Sequence, residues 1–245
     1  MERKVIIILI HFLLLFCTET FGNDQLAIYN AYIMNDMQAW KTLIDRIQKQ
    51  EKNSNETVLS LVNYQYGYIG WCIGMKNKKE ASTYISLIRN NLTILEKANY
   101  KLSMVYAYKS AIYGYEIGMN NLRAPFIGPK SMKCAEEALK LDPENYFAYL
   151  QMGNIQFYMP AMFGGSVNEA IRFFLESKKR MEKNKVALLR DWNYLHLLTL
   201  IAQAYTDARN FNEAKRYYEA ILKIEPRFHW VKNDLYPKIL QQCKN

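Results

Sequence analysis

The chain has 245 residues, of which 50% are hydrophobic, and a formal net charge of +9. Its 10 glycines and 6 prolines exclude a collagen-like or low-complexity chain, and no Gly/Ser-rich or Pro-rich linker interrupts residues 24 to 242. We therefore expect one continuous folded domain over residues 23 to 245. The basic charge does not indicate nucleic acid, because no nucleic-acid-binding motif accompanies it.

The N-terminus begins with Met-Glu-Arg-Lys and continues with an apolar run from residue 5 to residue 16. This run is too short to span a bilayer, which needs about 20 residues, whereas a basic start before a short apolar run is typical of a secretory signal peptide. Small residues at Thr20 and Gly22 predict cleavage after Gly22. The mature protein is then exported to the periplasm or cell envelope of a bacterium. A retained anchor and lipidation at Cys17 are the alternatives.

Three cysteines follow the predicted cleavage site. Their odd number and wide spacing argue against a disulfide framework or a zinc site. We expect neither a metal nor another cofactor.

The rest of the chain has helical patterns throughout. Residues 24 to 49 predict one long N-terminal helix, and residues 57 to 75, 78 to 99 and 101 to 119 predict three more. The connection over 120 to 128 is predicted to be long, with the next helix opening at Pro129 and ending at Asp142-Pro143. A final helix is predicted over 227 to 242. The fold class expected is all-α, with about four helix pairs arranged as a right-handed solenoid and a capping helix at each end.

The segment from Leu198 to Pro226 fits the tetratricopeptide (TPR) pattern, a helix-turn-helix repeat of about 34 residues. Ala202 and Ala214 occupy the positions where the two helices of a repeat approach closely, and Tyr218 occupies a position that fills the space beside them. The best repeats are predicted at about 146 to 183 and 195 to 228. The first of these fits only if its internal turn, over residues 159 to 165, is lengthened. A cap at Ser166, with Glu169 three residues later, predicts where its second helix begins.

The two long turns belong to consecutive repeats and should emerge on one edge of the solenoid. They carry apolar side chains that predict either loops packed on each other or the entrance to an apolar ligand cavity. The ligand-loop residues expected there are Pro125, Phe126, Pro160 and Phe163.

Five segments, residues 66 to 74, 138 to 154, 160 to 171, 192 to 198 and 225 to 237, together resemble an exported tetratricopeptide family of Bacteroidota that has no assigned activity. The element Pro160-x-x-Phe163-Gly-Gly is also similar to the T-component proteins of TRAP transporters. The first resemblance implies a TPR fold over the mature chain. The second implies a periplasmic protein that holds a small apolar ligand.

Repeat solenoids bind partners on a concave groove lined by the first helix of each repeat. In the register above, the groove of the third pair is aromatic and that of the fourth is polar, which suits a peptide with an apolar anchor. The partner-binding residues predicted are Phe147, Leu150, Asn154, Phe157, Tyr158, His196, Thr199 and Gln203, and the same register adds Thr206 and Asp207.

Catalysis is not expected, because the mature chain offers only His196 and His229 as near-neutral bases and has no HExxH, GxSxG or phosphate-binding motif. The leading hypothesis is an exported, non-catalytic scaffold that binds a protein or peptide of the cell envelope. The alternative is a periplasmic protein for a small apolar ligand. A third reading is attachment to an anionic envelope component through the basic cluster from Lys178 to Arg190.

Overall fold

The computed structural model describes residues 23–50 and 54–244, and the regular secondary structure in these ranges is entirely helical. The predicted signal peptide over 1 to 22 lies outside them. None of the helices described has the length and apolar character needed to span a membrane. The helices are α1 (23–34), α2 (Met37–Lys49), α3 (Asn55–Gly74), α4 (Lys78–Lys97), α5 (Leu102–Met119), α6 (Ala124–Leu141), α7 (Tyr146–Tyr158), α8 (Val167–Met181), α9 (Trp192–Asp207), α10 (Phe211–Ile224) and α11 (Tyr236–Gln242).

Short polar side chains start most of these helices by accepting a hydrogen bond from the first turn. At α8 the Ser166 Oγ accepts from the Glu169 N–H at 3.3 Å, as the sequence predicts. The Glu169 carboxylate does not return the bond, because it pairs with Arg172, and the Ser166 N–H donates to the Gln156 carbonyl instead. The cap at Ser166 is therefore confirmed, whereas the reciprocal half of the capping box is wrong.

The helices pack in consecutive pairs, α3 with α4, α5 with α6, α7 with α8 and α9 with α10, and each pair also packs on the next. The first helices of the four pairs converge on the buried ring of Tyr66. This ring stacks on Tyr115, contacts Tyr108 and Phe147 edge-on, and lies 6.4 Å from the Trp192 ring, between centroids. One aromatic core is thus shared by α3, α5, α7 and α9.

The chain between residues 23 and 49 is two helices rather than the single one predicted. A left-handed Asn35, with φ 57°, ends α1, and Asp36 caps α2. The turn lets α1 reach the last helix pair instead of only covering the first. There the Tyr32 ring packs 5.0 Å from Phe228 and lies beside His196. The N-terminal helix therefore contacts the last helix pair and the residues that follow it.

The predicted long connection over 120 to 128 is also wrong. A short 3-10 turn over Asn121–Arg123 leads directly into α6, and Pro125 is in the first turn of that helix. Pro129 lies inside α6, where its missing N–H would have bonded the carbonyl of Pro125, an exposed residue. Solvent can satisfy that carbonyl, so the second proline does not break the helix.

The turn between α7 and α8 depends on two glycines. Gly164 has φ 96°, which favours glycine, and a Cβ on Gly165 would lie 1.8 Å from the Met159 carbonyl oxygen. The positive φ at Gly164 and the close approach of Gly165 to the Met159 backbone therefore explain the Gly-Gly pair.

Candidate functional site

A cavity opens between the C-terminal ends of α7 and α9. These helices pack less closely than the neighbouring pair α5 and α7. The C-terminal segment borders the gap between them and leaves it open to solvent. The volume of the cavity is about 380 Å³, and its walls come from Phe157, Tyr158, Gln203, Thr206, Asp207, Tyr218, Leu235, Lys238, Ile239 and Gln242. A neighbouring cavity of about 520 Å³ shares Thr206, Asp207 and Gln242 with it. Volumes of this size are typical of small-molecule sites.

The cavity has an aromatic wall and a polar wall. Phe157 and Tyr158 on α7 form the aromatic wall, with their ring centroids 5.0 Å apart and nearly perpendicular. Gln203 and Asp207 face them from α9, and Lys238 lies on α11. This arrangement can hold an apolar, flat body while an amide, a carboxylate and an ammonium group bind polar substituents.

The tyrosines around the cavity are protonated at neutral pH. Burial raises the pKa of Tyr218 to about 12, and the Asp207 charge adds to the shift while a hydrogen bond with Thr206 opposes it. Tyr115 lies behind the aromatic wall, and its pKa is raised first by burial and then by the neighbouring Tyr66 and Tyr158. These phenols can donate or accept hydrogen bonds but do not supply negative charge.

Eight of the ten predicted groove residues fall into two groups. Phe157, Tyr158 and Gln203 line the cavity, together with Thr206 and Asp207. Phe147, Leu150 and Thr199, in contrast, are buried and offer no binding surface, which corrects their assignment to the groove. Tight convergence of the first helices on Tyr66 turns these positions into core, because α3 and α5 cover the face that an open solenoid would expose.

Asn154 lies between the two groups and belongs to a half-buried polar cluster that the pattern did not reveal. Its amide donates to the Gln151 Oε1 at 3.3 Å, whereas the buried Gln151 Nε2 and Asn154 Oδ1 make no hydrogen bond of good geometry. Both amides lie beside the Tyr66 hydroxyl, and their hydrogen bonding opposes the rise in the pKa of Tyr66 that burial causes.

His196 is not a free groove residue. It is half-buried, its Nδ1 lies 3.4 Å from the Tyr32 hydroxyl, and the Trp192 ring is 6.1 Å away. Burial lowers the pKa of His196 to about 4, so the ring is neutral at neutral pH. The helix α1 therefore covers the histidine that the sequence placed on the binding surface.

The predicted ligand-loop residues lie on one exposed edge. Pro125 and Phe126 are on the first turn of α6, and Pro160 and Phe163 are in the turn after α7. All four are exposed and none lines either cavity described here. Tyr158, which is 69% exposed, connects this edge to the cavity, because it lies in the aromatic wall and ends α7.

Sequence reasoning missed the contribution of the C-terminal segment. A π-helical turn over Val231–Leu235 precedes α11 and brings Leu235, Lys238, Ile239 and Gln242 to the cavity. The predicted capping helix over 227 to 242 was the only sequence feature that indicated packing of this segment on the repeats. In the described part of the chain, no three His, Cys, Asp or Glu residues form a group suited to a metal ion.

The described fold defines an all-helical protein with an open cavity between two helix pairs. No protein-family model matches the chain, and no curated protein matches it. Among solved structures, the fold is similar to that of the HusA haemophore from Porphyromonas gingivalis, with 18% sequence identity and a TM-score of 0.52. The similarity covers 73% of this chain and 94% of the haemophore chain. At this identity the likeness concerns the fold alone.

Proposed function

We propose that the protein is an exported, non-catalytic binding protein that holds a small, largely apolar ligand in the cavity between α7 and α9. The observation that carries the proposal is the facing arrangement of Phe157 and Tyr158 with Gln203 and Asp207 around a volume of about 380 Å³. An aromatic wall opposite a few polar groups is the usual composition of a small-ligand site. The burial of Phe147, Leu150 and Thr199 favours this function over a long peptide groove.

The ligand should be amphipathic, because two aromatic rings lie on one side of the cavity and polar groups lie on the other. Haem is one molecule of this description, and the fold resembles that of a protein named as a haemophore. Tyr158 and Tyr218 border the cavity, and either could ligate haem iron only with loss of its phenol proton, which burial disfavours for Tyr218. Haem is therefore the first probe, but the proposal concerns the chemical class of ligand.

The test is a fluorescence titration of the mature protein with haem, with metal-free protoporphyrin and with the apolar dye N-phenylnaphthylamine. We expect at least one probe to bind, and Tyr158→Ala to weaken its binding about tenfold through the loss of one stacking aromatic wall. Phe163→Ala is the matched control, since it removes an exposed aromatic that does not line the cavity. Absence of binding by all three probes, or equal loss in both variants, would refute the cavity assignment.

A second candidate, binding of a polypeptide of the cell envelope, is favoured by the exposed edge. Leu122 lies in the 3-10 turn before α6, Phe126 lies in the first turn of α6, and Met162 and Phe163 lie in the turn after α7. All four are exposed. Exposed apolar groups of this kind mark many protein contact sites. For this function Phe163→Ala should weaken binding of a partner recovered from the envelope. Tyr158→Ala should instead weaken binding of the cavity probes, so the two variants distinguish the two functions.

We also propose that the helix pairs are tetratricopeptide repeats wound into a strongly curved solenoid. The support is local: Ala202, Ala214, Tyr218 and Ile221 occupy consensus positions in α9 and α10 and are all buried. Membership of the exported Bacteroidota family remains a proposal on the five segments named in the sequence analysis, and the likeness to TRAP T-component proteins remains one on residues 160 to 165. Cleavage after Gly22 is tested by N-terminal sequencing of protein recovered from the envelope.

A further inference from the structure

The connection between α8 and α9 has an unusual surface for a loop of a water-soluble domain. Val186 and Leu189 are 77% and 72% exposed, and each has a basic neighbour in the sequence, Lys185 and Arg190. This segment, residues 182 to 191, lies at the N-terminal end of α9 and therefore at the opposite end of that helix from the cavity. Neither apolar side chain contributes to the cavities described above.

The local fold holds both apolar side chains outward. A 3-10 turn over Lys185–Leu188 is capped by Asn184, whose Oδ1 accepts from the Ala187 N–H at 3.2 Å. With three residues per turn, positions 186 and 189 share one side of such a helix. Leu188 instead packs against the core and fixes the segment to the domain. The two exposed side chains thus form a supported, protruding pair, which we name the apolar tip.

The apolar tip lies in a segment with three cations, Lys183, Lys185 and Arg190, and two acids, Glu182 and Asp191. Lys183 pairs with Glu144, but both side chains are more than half exposed, so this pair contributes little. Within the ranges that the structure describes, no carboxylate lies within 4.0 Å of the amino or guanidinium nitrogens of Lys179, Lys185 or Arg190. These three side chains are exposed.

We infer that the apolar tip and its cations dock the protein on an anionic lipid surface. Val186 and Leu189 can enter the boundary between headgroups and acyl chains, while the lysines and Arg190 remain at the level of the phosphates. A protein partner is a poorer fit, because a stable interface needs about 800 Å² on each side and two protruding side chains cannot supply that area. The apolar tip lies at the opposite end of α9 from the cavity, so its binding to lipid does not depend on a cavity ligand.

The experiment is co-sedimentation of the mature protein with vesicles of phosphatidylglycerol and, separately, of phosphatidylcholine. We expect binding to the anionic vesicles and much weaker binding to the neutral ones. Lys185→Gln should weaken vesicle affinity about fivefold, the contribution of one cation near an anionic surface. The double variant Val186→Ser/Leu189→Ser should weaken it about tenfold or more by removing the inserted apolar area.

Two matched variants test whether the effects belong to this segment. Ile94→Ser removes an exposed apolar side chain elsewhere, and Lys130→Gln removes an exposed lysine on α6. Both should bind vesicles like the wild type. All substituted side chains are exposed, so thermal unfolding should be unchanged, and a fall in the melting temperature would identify a misfolded variant to be replaced by Val186→Asn/Leu189→Asn.

A direct readout is the fluorescence of Val186→Trp, which should shift to shorter wavelength with anionic vesicles and be quenched by brominated lipid, whereas Ile94→Trp should not respond. The inference is overturned if the wild type binds neither vesicle, if it binds both equally, or if the apolar-tip variants bind as tightly as the wild type. Loss of an envelope protein partner in those variants without any vesicle binding would overturn it as well.

Discussion

The hydroxyl of Tyr29 donates a 3.0 Å hydrogen bond to the carboxylate of Glu225, and this bond joins α1 to the residue that follows α10. Glu225 is only 6% exposed, and the Arg227 guanidinium donates to both of its carboxylate oxygens, at 2.9 Å each. Hydrogen bonding from the Arg227 side chain is the largest cause of the lowered pKa of Glu225, and burial opposes it. Because burial of a carboxylate is costly without partners, the bond from Tyr29 stabilises contact between the two ends of the fold.

Tyr29→Phe should lower the free energy of unfolding by about 1 to 2 kcal/mol, because it removes a hydrogen bond to a buried charged acceptor. The measurement is urea unfolding followed by circular dichroism. Tyr236→Phe is the matched control, since Tyr236 also donates 3.0 Å to a glutamate, Glu219, but at an exposed position. Equal effects of the two substitutions would show that the buried bond has no special role.

Gly153→Ala should destabilise the pair α7 and α8 by about 1 to 3 kcal/mol through overpacking. A Cβ at this position would lie 2.4 Å from the ring of Phe174, which is itself buried. Combining it with Phe174→Leu should recover part of the loss in a double-mutant cycle. Gly114→Ala provides the control, because its Cβ would meet no atom within 4 Å, and replacement of a helical glycine by alanine should stabilise by about 0.5 to 1 kcal/mol. A stable Gly153→Ala variant would contradict this account of helix packing.

Helix positions could be predicted from the sequence because each depends on neighbouring residues. The predicted helix over 101 to 119 is observed as Leu102–Met119, and the predicted helix opening at Ser166 is observed as Val167–Met181. Apolar periodicity, Gly and Pro positions and capping side chains are all local signals. The start of α6 was missed because Pro125 and Pro129 are equally good first-turn residues, and only the 3-10 turn over Asn121–Arg123 selects the earlier one.

The binding surface could be predicted only in part, because periodicity identifies a face of a helix but not what covers it. Phe147 and Tyr158 were placed on the same face of α7, yet one packs against Tyr66 in the core and the other is exposed. The difference depends on contacts with α3, about 80 residues earlier in the chain. Contacts between residues so far apart in sequence leave no signal in a local pattern. The cavity wall from Lys238 was missed for the same reason.

Gln203→Trp should block the cavity and abolish binding of probes that enter it, because an indole would occupy the space between α9 and the aromatic wall of α7. The free energy of unfolding should change by less than about 1 kcal/mol, since Gln203 is half-buried and faces open space. Titration with the same three probes measures the first effect, and urea unfolding measures the second. Lys215→Trp, on α10 and away from the cavity walls, is the control. Undiminished probe binding by Gln203→Trp would place the ligand elsewhere.

The stability of the protein should fall as the pH is lowered through the range that separates the two pKa values of His196. In the unfolded chain this pKa is 6.5, and burial lowers it to about 4 in the folded protein. The unfolded state therefore binds one more proton in this window, so the contribution is fully present above pH 6.5 and is lost as the pH falls to about 4. The loss is on the order of 3 kcal/mol, which follows from the conversion of pKa shifts to free energy.

This dependence is measured by urea unfolding at a series of pH values, with His196→Gln as the test variant. Glutamine keeps a polar group beside Tyr32 but does not titrate, so the slope of unfolding free energy against pH should become markedly smaller. His229→Gln removes an exposed histidine and should leave the slope as in the wild type. If the two variants have the same slope as the wild type, burial of His196 under α1 does not control its protonation, and the packing of α1 on α9 would need a different explanation.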